Sequence, residues 1–578
     1  MQQYWQNDLP RRSLDFFLIV SPDQEENLNN PLASLAPLRF NLTAITMSEN
    51  IRVTKAAGVV GAATLLSRIF GFIRDVVVAW FFGAGFASDA FFVAFRIPNL
   101  LRRLLAEGSL SIAFIPVFTD HLTRNGKEDA FLLARAALRL ISVLLAVVAV
   151  LGILLSPLIV RIVGIGFADS PEKLALTVTL TRIMFPYIFF IGLVALCMGI
   201  LNVLGHFAAP ALAPVFLNIA MIGSVFLISP LLDEPVIGLA VGVLIGGALQ
   251  LLLQIPFLIR KGLRFWQKAG MVHPGLKQVG VLMLPTVFGA AVYQINILVG
   301  TLLASLLPEG SVSYLYYADR LVEFPLGIFA IATATAVLPS LSRQAAAREF
   351  EALRNTFVYA MNLVSYITIP AMVGLIVLRE PIVALLFQRG AFDAVTVRLT
   401  AVALLYYAVG LWAFSAVRIV VSTFYALQDT KTPVRMAAIS VVANIVLSVI
   451  LMQWLRHGGL ALATSLASMV NLALLLKALQ GRLGSLGWQD VRRSIVKTAV
   501  CSAAMGLTVW GVALAAIPAG RGSTTRLLLG LLITIGAGLI SYGAFSYLAR
   551  IPEFEMVLSL LGKRSGKKGT GGGAIERQ

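Results

Sequence analysis

Apolar runs of about 20 residues recur along 133–548, each long enough to cross a hydrocarbon layer of ~30 Å as a helix. Between them stand charged residues and clusters of glycine and proline, where such a helix can end. This punctuation predicts about fourteen helices, at 54–82, 87–116, 130–160, 174–204, 209–230, 236–258, 276–304, 313–340, 353–378, 395–426, 434–455, 459–479, 491–516 and 526–549. The chain reads as an all-α polytopic membrane protein.

The pattern also repeats. Ala-Phe-Ile-Pro-Val-Phe at 113–118 answers Ala-Val-Leu-Pro-Ser-Leu at 336–341, so Pro116 pairs with Pro339 at an offset of 223. Pro210 meets Pro433 at the same offset, and Gly166 and Asp169 meet Gly390 and Asp393 at 224. An offset covering six helices, an even number, leaves the two copies as parallel repeats about an axis along the membrane normal. Two six-helix lobes follow, 54–258 and 276–479, with two C-terminal helices at 491–549 as an addition. Substrate sites in such folds lie between the lobes.

Composition agrees with the pattern: 58% of the 578 residues are apolar, 13% are charged and the mean hydropathy is +0.87. Soluble domains carry about 25% charged residues, so a soluble multidomain enzyme is excluded as the default. The 46 Lys and Arg against 28 Asp and Glu give a net charge of +18. Basic stripes interleaved with aromatics are absent, which speaks against nucleic acid as a partner. The excess instead marks cytoplasmic loops and anionic membrane lipids. With both termini on one side, the loops of that side hold 22 Lys and Arg and the opposite loops 7. Cytoplasmic termini follow. The basic, glycine-rich tail 550–578 is expected to lie against anionic lipid. Residues 1–46 are acidic and polar, and are expected to be a disordered extension or to precede a true start at Met47.

Charge inside the helices is more telling. The stretch 65–110 holds Arg68, Arg74, Asp75, Asp89, Arg96, Arg102, Arg103 and Glu107. Each arginine or aspartate at the centre of a membrane helix costs ~2.5–3.5 kcal/mol on insertion scales, so helices 1 and 2 must line a hydrated cavity or pair their charges. In the second lobe Arg320 and Glu323, three apart, share one helical face beside Asp319. A structural ion pair would explain them. Helix 8 is, however, the repeat partner of helix 2, so Arg320 faces the same space between lobes. Arginines in excess of carboxylates make that space positive, and guanidinium groups bind phosphate bidentately. The substrate class is an anion, a phosphate or pyrophosphate. Helix 7 from Leu284 to Ser305 carries Gln294 and Asn296 but no charge, so the cationic site is asymmetric.

Other chemistry is not indicated. Cys197 and Cys501 read as buried small hydrophobes, and His121, His206, His273 and His457 lack metal-ligand spacing. No metal or cofactor is expected. Neither HExxH, GxSxG nor a paired-carboxylate constellation is present, which points to a transporter rather than an enzyme.

Ser-Arg-Ile-Phe-Gly-Phe-Ile-Arg-Asp at 67–75, Ser-Asp-Ala-Phe-Phe-Val-Ala-Phe-Arg-Ile-Pro-Asn-Leu-Leu-Arg-Arg at 88–103, Phe-Pro-Tyr-Ile at 185–188 and Tyr-Tyr-Ala-Asp-Arg-Leu-Val-Glu-Phe-Pro at 316–325 resemble the MurJ (MviN) family of lipid II flippases. The likeness runs over 55–548. It places the chain in the exporter superfamily of multidrug and polysaccharide-lipid transporters. It implies movement of the undecaprenyl-pyrophosphate peptidoglycan precursor from the cytoplasmic to the periplasmic leaflet of the bacterial inner membrane, by alternating access. An exporter of another polyprenyl-linked glycan or of drugs is the alternative. By motif, Arg68, Arg74 and Arg320 would hold the head group, with Arg102 or Arg103 near the portal. Asp75, Asp89, Glu107 and Glu323 would pair with those arginines when the cavity is empty. Helices 13 and 14 would form a groove for the lipid tail. Helix 11 has no acidic residue, so the sodium coupling of some family members is not expected. The resemblance leaves room for other cell-wall synthesis proteins as partners.

Overall fold

A computed structural model describes residues 36–104, 110–267, 270, 272–484, 486–517 and 523–555, with side chains from 58 onward apart from 288–290, 292 and 293. Glu107, residues 1–35 of the acidic leader and the basic tail from 556 lie outside the described residues. Residues up to Val59 and residues from Val60 form separate compact units, and the second holds both lobes from Val60 onward.

The described residues form helices and turns only. The first repeat holds α1 (Ala36–Phe82), α2 (Phe86–Leu101), α3 (Ser111–Arg124), α4 (Lys127–Val163), α5 (Pro171–Met184), α6 (Tyr187–Val203), α7 (Ala208–Leu227) and α8 (Pro235–Arg260). The second holds α9 (Pro274–Ser305), α10 (Ser311–Pro325), α11 (Ile331–Ala346), α12 (Phe350–Val377), the short α13 (Arg379–Phe387), α14 (Ala394–Val409), α15 (Leu411–Ala426), α16 (Lys431–Leu455) and α17 (His457–Leu483). The final pair is α18 (Trp488–Ala516) and α19 (Thr524–Leu548).

Ten stretches among the described residues are long and apolar enough to cross a membrane, or eleven if the bent pair α14–α15 is one span. This is a multi-pass membrane protein. Helices also occupy the stretches expected for helices 1, 2 and 7, but α1, α2–α3 and α9 fall outside the ten. Within its described side chains α1 carries Arg68, Arg74 and Asp75, while α2 and α3 are 16 and 14 residues long, each too short to cross alone.

The internal repeat reappears in the breaks and in the packing. Pro186, which has no N–H to continue the helical ladder, separates α5 from α6. Gly410, 224 residues on, separates α14 from α15 with a bend of 40°. The wide π turn at Leu326–Ala330, directly after Pro325, falls one repeat beyond the π-type backbone at 102–104 that ends α2. Helix pairs recur likewise: α2 packs on α5 as α10 packs on α14, α6 on α8 as α15 on α17, and α7 on α8 as α16 on α17.

Small residues permit the closest of these approaches. Gly238, Gly242 and Gly246 lie four apart on one face of α8, where an added Cβ would come within 2.8, 3.1 and 3.0 Å of the backbone Cα atoms of Ser229, Met221 and Leu217. Interhelical packing in a membrane gains from such proximity, since lipid leaves little hydrophobic drive between helices.

Candidate functional site

Helices α1 and α10 run antiparallel across the space between the lobes, and each presents polar residues on one face. On α10 these are Tyr316, Arg320, Glu323 and Gly327 of the following turn, spaced four, three and four apart. On α1 they are Arg68 and Asp75, with Arg74 beside Asp75 and the Gly83 carbonyl just past its last turn. The contacts form a ladder. The hydroxyl of Tyr317 donates to the Gly83 carbonyl at 3.3 Å, Tyr316 and Arg320 reach Asp75, and a side chain at Gly327 would meet the Arg68 guanidinium.

Asp75 is the centre of this ladder. Its Oδ1 accepts from Arg74 Nη2 at 2.7 Å, Arg74 Nε at 3.1 Å and the Tyr316 hydroxyl at 3.0 Å. Arg320 Nε stands 3.6 Å from its other oxygen, while Arg320 Nη1 donates to Glu323 at 2.7 Å. Arg74 also donates to Asn218 of α7 at 3.0 Å, and the Arg320 guanidinium lies 5.0 Å over the Tyr316 ring. Phe92 stacks on the other face of that ring at 3.9 Å, fixing the hydroxyl. Exposure rises along the ladder: Asp75 and Arg74 side chains are 5% and 12% exposed, Arg320 and Glu323 34% and 48%, and Arg68 is exposed. The charges are therefore paired, and their burial lessens from Asp75 towards Glu323. Arg96, Arg103, Asp319 and Arg320 are within electrostatic reach of one another. Among the described residues of this wedge Arg68, Arg74, Arg96, Arg103 and Arg320 outnumber Asp75, Asp319 and Glu323, which favours an anionic guest.

The far end of the wedge is sealed. Asp89, 2% exposed, accepts from Lys173 Nζ at 3.0 Å, the Gly310 amide at 2.7 Å, and the amide and hydroxyl of Ser313 at 3.0 and 2.6 Å. The amides belong to the N-terminus of α10, whose unpaired donors and positive dipole end suit a carboxylate. Asp89 and Ser313 are 224 apart, so each is the other's repeat partner. Glu309 likewise accepts from the Phe86 amide at 2.8 Å, across an offset of 223. Two glycines close the flanks reciprocally. Gly166 lies against the backbone of Ser305 at the end of α9, and its repeat partner Gly390 lies against the backbone of Trp80 near the end of α1. The Ala391 amide adds a hydrogen bond to the Trp80 carbonyl at 3.0 Å.

Of the residues singled out from the sequence, Arg74, Asp75, Arg320 and Glu323 are brought together, and Arg68 stands at the open end of the same ladder. Arg102 is turned back on its own helix, donating to Asn99 at 2.8 Å. Arg103 faces the Asp319 side. Asp89 departs from the expected pairing with arginines: its cation is Lys173, because α5, with Lys173 in its first turn, packs on α2. Glu107 lies outside the described residues. Sequence reasoning missed Lys173, which reads as a head-group lysine at the start of a helix, and Asn218, an uncharged residue in an apolar run. A buried lysine with its Nζ 4.5 Å over the Phe167 ring gives no signal in hydropathy alone.

The chain matches, over residues 78–529, the family described as lipid II flippase MurJ. It is 41% identical over 533 residues to a MurJ relative of Vibrio cholerae serotype O1, covering 90% of this chain and 98% of the relative. It is 38% identical to the lipid II flippase MurJ of Burkholderia cenocepacia, over 73% of this chain and 83% of that one. Among solved structures, a lipid II flippase MurJ in an inward closed conformation superposes with a TM-score of 0.71 at 30% identity, over 84% of this chain and 98% of that one. An inward-facing multidrug transporter of the MATE family, TM-score 0.60 at 18% identity over 74% and 98% of the two chains, shares the fold. The helical repeat, the charged wedge between its halves and these matches agree: the chain belongs to the lipid II flippase MurJ family, transporters rather than enzymes.

Proposed function

We propose that this chain moves lipid II from the cytoplasmic to the periplasmic leaflet of the bacterial inner membrane for cell-wall synthesis, by alternating access between its two lobes. The observation that carries the reading is the convergence of Arg74 and Arg320 on Asp75, in pairs whose exposure rises to 48% at Glu323, between two lobes sealed at one end. A pyrophosphate offers the same bidentate geometry as a carboxylate with more charge, so it can take over the guanidinium groups and release Asp75 and Glu323. Arg68, at the open end, meets the head group first, and Arg103 adds positive charge beside Asp319. The basic loops and both termini face the cytoplasm and anionic lipid. An inside-negative potential then assists outward movement of the anionic head by ~2.3 kcal/mol per charge per 100 mV. The prenyl tail stays in lipid along α18 and α19, where Leu507, Leu514, Leu539 and Ile540 are exposed apolar residues.

Complementation tests this reading. In cells depleted of their own flippase, Arg74→Ala and Arg320→Ala variants that insert normally are expected to lose growth support. Full growth with both sinks the assignment of the wedge as substrate site. Competition binding separates the alternatives, because an exporter of drugs would not prefer a pyrophosphate lipid over a cationic dye.

A further inference from the structure

The four histidines are scattered in sequence, yet the fold brings two of them to one carboxylate. His121 near the end of α3, Asp129 in the first turn of α4 and His273 at the start of α9 offer ligand atoms that all lie within 4.8 Å of one another. His121 Nδ1 stands 2.6 Å from Asp129 Oδ2, and His273 Nε2 3.4 Å from Asp129 Oδ1. The two rings meet edge to face with centroids 5.0 Å apart. Gly275 makes room for them, since a Cβ there would come within 2.9 Å of His121 Nε2. We infer that His121, Asp129 and His273 form a binding site for a borderline divalent transition metal of the Zn²⁺ class.

The donor set favours such an ion. Two imidazoles and one carboxylate suit zinc, and three protein ligands leave a position for water. A hard ion such as Mg²⁺ would want oxygens instead. Each imidazole already contacts the Asp129 carboxylate, and the three ligand atoms, all within 4.8 Å of one another, need side-chain rotations of up to about 1.5 Å to reach the ~3.3 Å spacing of a tetrahedral site. Asn125 Nδ2, donating to Asp129 Oδ2 at 2.9 Å, is an outer-shell partner that orients the carboxylate. The side chains of His121 and His273 are 13% and 11% exposed and that of Asp129 31%, so an ion has a path in. Binding has local costs: the proton shared between His121 Nδ1 and Asp129 must leave for the metal, the ring keeping its N–H at Nε2. His273 Nδ1 accepts the Gly275 amide at 3.1 Å, and metal on Nε2 moves the ring proton to Nδ1, so that amide must turn to water.

The site joins the repeats at the end of the molecule that carries the basic loops, opposite the Asp89 seal. Helices α3 and α4 belong to the first repeat and α9 opens the second, and both pack on α9. A bound ion therefore ties the lobes together in the arrangement seen here.

The test is titration of the purified full-length chain with Zn²⁺ alone, followed by calorimetry, and with Co²⁺, followed by its visible absorption. One saturable ion per chain with tetrahedral cobalt bands is expected. His121→Ala and His273→Ala should each weaken binding by at least about 10- to 100-fold, while His206→Ala leaves it unchanged. Size-exclusion profile and metal-free thermal unfolding verify that the variants fold, and His121→Gln and His273→Gln stand in for any that do not. Absence of saturable binding, or equal binding by the His121 and His273 variants, overturns the site. Neither readout depends on lipid transport.

Discussion

The two ends of the α1–α10 ladder solve the same problem in opposite ways. At the sealed end the Asp89 charge is met by a buried lysine and by backbone amides, which cannot swing away without unwinding α10. At the open end Asp75, Arg74, Arg320 and Glu323 hold one another through side chains, and exposure reaches 48% at Glu323. Fixed dipoles make a lock; flexible side chains make exchangeable partners. An anionic guest can compete for the second set and not for the first.

Removing the lock should have the largest effect. Asp89→Ala leaves Lys173 buried without its counter-charge, a loss on the order of 3–5 kcal/mol. A lower unfolding temperature is expected, with faster hydrogen exchange at the Gly310 and Ser313 amides. Unchanged exchange there would erase the contrast between the ends. Next comes Gly390→Ala, whose Cβ would run into the Trp80 backbone at φ +54°. We expect destabilisation of about 1–3 kcal/mol from overpacking, in excess of that for Gly126→Ala, where φ is +87° but no neighbour stands within 4 Å. Equal losses would mean that backbone strain rather than the inter-lobe contact matters. Tyr316→Phe removes one hydroxyl that joins Arg74 to Asp75, and should lower thermal stability by only about 0.5–1.5 kcal/mol. Glu323→Gln, in a half-exposed pair, should cost no more than about 1 kcal/mol. A larger loss would show that the open end is as rigid as the sealed one.

The smallest effect is expected away from both ends. Asp429, between α15 and α16, accepts from the Thr432 hydroxyl at 2.6 Å and amide at 3.0 Å and pairs with Arg482 at 2.6 Å. The Thr432 hydroxyl first, with its amide and Arg482 adding to it, holds this carboxyl below the usual carboxylate range. A carboxylate depressed in the folded state contributes stability above its unfolded value, about 3.9, and loses it as pH falls through the folded value. Thermal unfolding from pH 5 downward should show that loss in the parent and less of it in Asp429→Asn.

Much of this was legible in the chain because membranes punish misplaced charge and register repeats. The offset between Pro116 and Pro339 foretold paired breaks and paired helix contacts, and the arginines of α1 and α10 stood out against apolar neighbours. What could not be read was partnership across the fold. Lys173 lies 84 residues from Asp89, and His273 lies 144 from Asp129; neither separation has a helical or repeat period. Gly410 is one glycine among 48, and only the position of Pro186 one repeat earlier marks it as a bend.

The contact of Asp89 with its own counterpart, Ser313, has a bearing on how such a chain can arise. In a symmetric dimer of six-helix halves, a residue on the two-fold axis faces an identical copy of itself. Aspartate there would set carboxylate against carboxylate in a dry interface, and serine against serine would leave the α10 amides without their anion. Joining the halves in one polypeptide lifts that restriction, letting one copy carry the acid and the other the hydroxyl. The seal is thus a device that two identical halves cannot build.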